Sequence, residues 1–121
     1  MSKNPTIPKR GEIWLAEFPK FKESRKPYRP CLVISNDLQN EYGKWIVIVA
    51  LTGKDIENIE PFEVLVEKTT EIKLEKTSKL KFNYPQTLDK VRLKEHLGTA
   101  NRKIMEQAKA AWQIAFDVEN W

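Results

Sequence analysis

The chain has 121 residues, enough to bury roughly two thirds of its unfolded surface in one domain without disulfides or metals. Its single cysteine excludes an internal disulfide, no apolar run approaches the ~20 residues that cross a bilayer, and MSKNPTIPKR lacks the apolar core of a signal peptide, so a cytoplasmic protein is expected. The net charge of +4 is mild but uneven: residues 1–54 hold ten Lys/Arg against five Asp/Glu and residues 55–121 eleven against twelve, so a polyanion, if bound, engages the first half.

After a frayed start over 1–8, GEIWLAEF (11–18) reads as a first strand ended by Pro19. The segment PKFKESRKPYR carries two prolines and five basic residues against one acid, the pattern of an exposed loop. A second strand, PCLVIS, holds Cys31 as a buried, inert thiol and closes on Asn36-Asp37, a pair that forms turns through its own side chains. WIVIVAL (45–51) is apolar without alternation, as expected of a central strand covered on both faces. FEVLV returns to a period of two with Phe62, Val64 and Val66 on one face. Residues 67–78 read as a charged connector, and KLKFNY (79–84) as a strand ended by Pro85. From the cap Asn101, Ile104, Met105, Ala108, Ala111, Trp112, Ala115 and Phe116 form one apolar stripe of an amphipathic helix, with Trp112 facing the core. Short strands at this spacing predict a small barrel with one helix packed on it, as a single domain over 1–121.

The titratable residues exclude most hydrolytic chemistries. The only histidine, His96, rules out a two-histidine acid–base pair within one chain and reads as a half-exposed structural residue. One cysteine and one histidine make no zinc cluster, and four glycines make no phosphate-cradling loop. Arginine chemistry remains. Pro30 biases Arg29 toward an extended backbone, which fixes the direction of its side chain at the mouth of a strand. A guanidinium so held presents a planar fork of donors suited to phosphate, although an arginine paired with a carboxylate is the commoner arrangement. If the strands flanking 36–44 pair antiparallel, Thr52 meets Arg29 at the same edge of the sheet, and the two converge on one phosphate.

KRGEIWLAEF, the loop ending in RPCLVISND, Asn40, IVIVALT, the later TLDKVRL and the LG before the last helix together resemble, in order and over about residues 9–118, the PemK/MazF family of toxin endoribonucleases. The resemblance implies a mainly β (α+β) fold: an SH3-like small barrel of the CcdB/PemK/MazF type with a C-terminal amphipathic helix. It further implies a homodimer, a cognate antitoxin partner, and metal-independent cleavage of single-stranded RNA or mRNA to a cyclic phosphate and a 5′-hydroxyl, with no cofactor and no metal. The family's catalytic positions fall on Arg29 and Thr52. An acid often present in the basic loop falls on Glu23, or the equivalent place on Ser24. Lys20, Lys22, Arg25 and Lys26 are expected phosphate contacts, with Tyr84 available to stack on a base. Asn83, Tyr84, Pro85 and Gln86 stand where many relatives read Glu-Gln-x-Arg, a departure at an RNA-contact segment. Two alternatives share the fold: a gyrase-binding toxin, and a non-cleaving RNA- or protein-binding module.

Overall fold

The structure is a computed structural model and describes residues 7–18 and 27–121. Six strands form one antiparallel sheet: β1 (Glu12–Glu17), β2 (Tyr28–Val33), β3 (Trp45–Thr52), β4 (Glu63–Val66), β5 (Ser78–Asp89) and β6 (Leu93–Thr99). Their spatial order is β4-β5-β3-β2-β1-β6, which leaves β3 inside the sheet and β4 and β6 at its edges. The sheet curls into a half-barrel. Between β4 and β5 the chain returns to the opposite edge, where the Lys73 N–H donates to the Leu97 carbonyl of β6 at 2.9 Å and ties the two edges together. That crossing is close: Gly98 has φ +153°, and a Cβ on it would collide with the Glu71 carbonyl oxygen.

The unbroken apolar run of β3 is explained by two separate cores, one on each face. Val49 and Leu51 join Ile13, Leu32, Leu80 and Phe82 under α2 (Arg102–Phe116), whereas Ile46 and Ile48 join Trp14, Phe18, Cys31 and Val33 in the second cluster. α2 starts where Asn101 accepts the Ile104 N–H at 2.8 Å, which satisfies one of the free donors of its first turn. It lies on β4 and β5 through Ala108 and Ala111, both buried, whose small side chains let the helix approach closely. Trp112 is half-buried against the same core and packs on Phe116, with ring centroids 4.4 Å apart. Trp121, by contrast, is exposed. Among the described residues no helix is long and apolar enough to cross a membrane.

Several sequence expectations are corrected. Asn36-Asp37 does not make a simple turn: the Asn36 side chain accepts the Gln39 N–H at 2.7 Å and caps a short helix, α1 (Asp37–Tyr42), between β2 and β3. Asn40 on that helix is fully buried, donates to the Ser35 carbonyl at 2.9 Å and accepts from the Ser35 hydroxyl, which fixes the crossover. β5 does not stop at Pro85 but runs on to Asp89. Proline is tolerated because β4 pairs with β5 only over Ser78–Lys81, so the farther part of β5 has an open side that needs no N–H. The charged connector contributes Ile72 and Leu74 to the core. Glu63, between Phe62 and Val64, is buried despite the period-two reading.

Candidate active site

The ladder between β2 and β3 sets Cys31 opposite Ala50. Arg29 and Thr52 each lie two residues beyond that pair, toward the same end of the two strands, and β5 sets Lys79 opposite Thr52 on the other side. Three neighbouring strands thus deliver an arginine, a threonine and a lysine in one row. Between the pairs Val49–Pro85 and Leu51–Leu80, β3 has one residue, Ala50, while β5 has residues 81 to 84, and this bulge widens the sheet beside the row.

A cleft of about 340 Å³ opens over that row. Arg29 and Thr52 line it from β2 and β3, and Lys79, Lys81, Tyr84 and Gln86 from β5, with Lys54 and Asp55 at its rim. Arg29 has no carboxylate partner among the described residues; its guanidinium carbon lies 5.8 Å from the centroid of the Phe18 ring, a contact that orients it without neutralising it. The alternative of a structural, carboxylate-paired arginine therefore finds no support among those residues. Thr52 accepts the Lys54 N–H at 3.2 Å, which leaves its own O–H to donate into the cleft.

The floor is built differently. Lys79 is almost completely buried, with its ammonium 2.9 Å from Glu63 Oε1, 2.8 Å from the Asn58 carbonyl and 4.0 Å from Asp55. Burial alone raises the Glu63 carboxyl, but the Glu60 N–H, the Lys79 ammonium and the nearby Lys81 charge outweigh it and hold the group below the usual carboxylate range. Asp55, at φ +54°, accepts from the Asn58 side chain at 3.3 Å and shapes the loop that supplies Lys54. Lys81 carries no ion pair among the described residues, and its ammonium sits 5.0 Å above the exposed Tyr84 ring. The cleft is accordingly cationic: once Lys79 is counted against Glu63, Arg29, Lys54 and Lys81 face a single remaining carboxylate, Asp55.

Of the sequence-predicted site residues, the structure brings Arg29, Thr52, Tyr84 and Gln86 into one cleft. Lys20, Lys22, Glu23, Ser24, Arg25 and Lys26 lie outside the described residues. His96 is not a lining residue: it rests against Trp14, ring centroids 5.2 Å apart, with Nε2 3.8 Å from Glu12. Cys31 is fully buried, and desolvation pushes its thiol up to about 12, so it is no nucleophile. Among the described residues no cluster of three or more His, Cys, Asp or Glu is placed to hold a metal ion. The Lys79–Glu63 floor and Lys81 were missed by the sequence reading; the available signal was an acid, Glu63, set inside an otherwise apolar run.

Comparison with known proteins bears on the fold and the family. Residues 9–116 match the family of PemK-like, MazF-like toxins of type II toxin–antitoxin systems. The Endoribonuclease MazF of Staphylococcus saprophyticus is 33% identical over 108 residues, spanning 88% of this chain and 89% of that protein. Among solved structures, a mycobacterial endoribonuclease in complex with its cognate antitoxin superposes with a TM-score of 0.74 at 22% identity, over 92% of this chain and 96% of that one. MazF of Deinococcus radiodurans gives 0.71 at 19% identity, over 93% and 98% respectively. Similarity at these identities establishes a shared fold, and together with the family match over most of its length the chain belongs to the PemK-like, MazF-like toxins of type II toxin–antitoxin systems.

Proposed function

We propose that Arg29 and Thr52 are the catalytic pair of this toxin endoribonuclease, which cleaves single-stranded RNA, including mRNA, through the substrate's own 2′-hydroxyl to leave a cyclic phosphate and a 5′-hydroxyl. The observation that carries the reading is an arginine with no carboxylate partner among the described residues, fixed at a strand mouth and sharing a cationic cleft with a threonine hydroxyl free to donate. An internal nucleophile asks the protein only for orientation, proton transfer and stabilisation of charge on the phosphorane-like transition state. Arg29 binds and neutralises the scissile phosphate, and Thr52 donates to a non-bridging oxygen. Arginine stays protonated and makes a poor base, so the 2′-proton is assigned to Glu23, in the sequence between β1 and β2. The basic residues of that segment, Lys20, Lys22, Arg25 and Lys26, with Ser24, extend the phosphate track, and Tyr84 and Gln86 meet a base.

The protein acts as a homodimer, and a cognate antitoxin restrains it by laying an acidic segment along the same cationic groove. The test is incubation of the purified protein with a long single-stranded RNA in excess EDTA. Discrete fragments ending in cyclic phosphate, with DNA of the same sequence left intact, support the reading. Fragments carrying 3′-hydroxyl ends would refute the 2′-hydroxyl route.

A further inference from the structure

The cleft holds two lysines on β5, and the structure treats them oppositely. Lys79 and Lys81 are two residues apart on one strand, and β4 sets Glu63 directly opposite Lys81. Yet Glu63 turns to Lys79, at 2.9 Å, with both side chains almost fully buried. Lys79 is further fixed by the Asn58 carbonyl, so its charge is spent inside the protein. Lys81 is left half-exposed, facing the cleft, with its ammonium over the ring of Tyr84. Tyr84 is 60% exposed, more than a tyrosine that serves only to pack requires. Both residues belong to the bulged segment 81 to 84, which lifts them beside the row of Arg29 and Thr52.

We infer that Lys81 and Tyr84 form a substrate subsite for one nucleotide next to the scissile phosphate: the ammonium takes that nucleotide's phosphate and the ring stacks on its base. The inference rests on the proposed RNA-cleaving function and adds to it a residue and a register. A flat ring tolerates any base, and a lysine whose ammonium already lies over one face of the ring needs little reorganisation to meet the phosphate of a nucleotide stacked on the other. The Glu63–Lys79 pair is what keeps Lys81 available, because it occupies the carboxylate that would otherwise neutralise Lys81.

The test uses purified full-length protein and a fluorescein-labelled single-stranded 2′-deoxy oligonucleotide, which binds without being cut, titrated by anisotropy between 50 and about 300 mM salt. Lys81→Gln is expected to lower affinity several-fold at low salt and to reduce the slope of log K against log salt by about 0.7, the value for one phosphate contact on a single strand. Lys81→Arg restores the slope. Tyr84→Leu weakens binding while leaving the slope intact, and Tyr84→Trp restores it. Each variant is checked by urea unfolding so that loss of binding is not loss of fold. An unchanged slope in Lys81→Gln, with wild-type protein that binds and cleaves RNA, overturns the subsite alone. Wild-type protein that neither binds nor cleaves overturns the parent function, and the subsite with it.

Discussion

Glu63 and Lys79 form an ion pair of 2.9 Å with side chains only 3% and 4% exposed, on the floor of the cleft that Arg29 and Thr52 line. Removing one member strands the other charge in the interior. Lys79→Met is therefore expected to destabilise the protein by about 3–5 kcal/mol, whereas Lys79→Met with Glu63→Gln recovers much of the loss. Urea denaturation of the two variants beside wild type decides it. Equal stability of the single and double variants would show that the pair is not coupled.

The same pair sets a pH dependence. The folded protein holds Glu63 below its ordinary carboxylate value, so its contribution is fully present above the unfolded value, about 4.3, and is lost as pH falls through the folded one. Unfolding free energy measured from pH 7 downward should fall below pH ~4.3 more steeply in wild type than in the double variant. Matching slopes would remove Glu63 from the acid limb.

Gly98 is expected to tolerate no side chain. Its φ of +153° and the Glu71 carbonyl above it make Gly98→Ala cost about 2–4 kcal/mol, through strain and overpacking at the point where the two sheet edges meet. A melting temperature within 2 °C or so of wild type would contradict this. Gly53→Ala, whose added Cβ would first meet the flexible end of the Lys76 side chain, is the contrasting control.

Cys31 should be silent to thiol reagents in the native state. Its thiol is fully buried and pushed up to about 12, so reaction with a chromogenic disulfide at pH 8 is expected only after unfolding. Reaction of the folded protein within seconds would show that the core around Cys31 opens.

The meeting of Arg29 and Thr52 was legible from sequence because it needs only local rules: proline after arginine extends the strand mouth, and an antiparallel pair joined through 36–44 aligns one strand's start with the next one's end. The helix from Asn101 was legible because its apolar stripe repeats at the helical period. The cleft floor was not. Alternation in KLKFNY sets Lys79 and Lys81 on one face as equals, and nothing local says that Glu63, from a strand sixteen residues earlier, buries one and spares the other. Pro85 misled for a related reason, since whether a proline ends a strand depends on how far β4 extends along β5, a non-local fact. Ile72 and Leu74 lay in a segment whose charge outweighed its two apolar residues, although those two close the core.

Thr52→Val, which keeps the β-branched shape and removes the donor, should slow RNA cleavage about 10- to 100-fold with little change in stability, as for one lost hydrogen bond to a charged group. Initial rates at saturating RNA, read beside urea curves, check it; a rate within two-fold of wild type would leave the hydroxyl without a catalytic role.

The most direct test of the central claim is the rate of RNA cleavage in excess EDTA by Arg29→Ala and Arg29→Lys variants whose unfolding curves match wild type. Loss of an oriented guanidinium at the scissile phosphate is expected to lower the rate by about 10²- to 10³-fold in Arg29→Ala, with only partial recovery in Arg29→Lys because an ammonium lacks the planar fork. Cleavage by Arg29→Ala within a few-fold of wild type would contradict the account and place the chemistry elsewhere on the molecule.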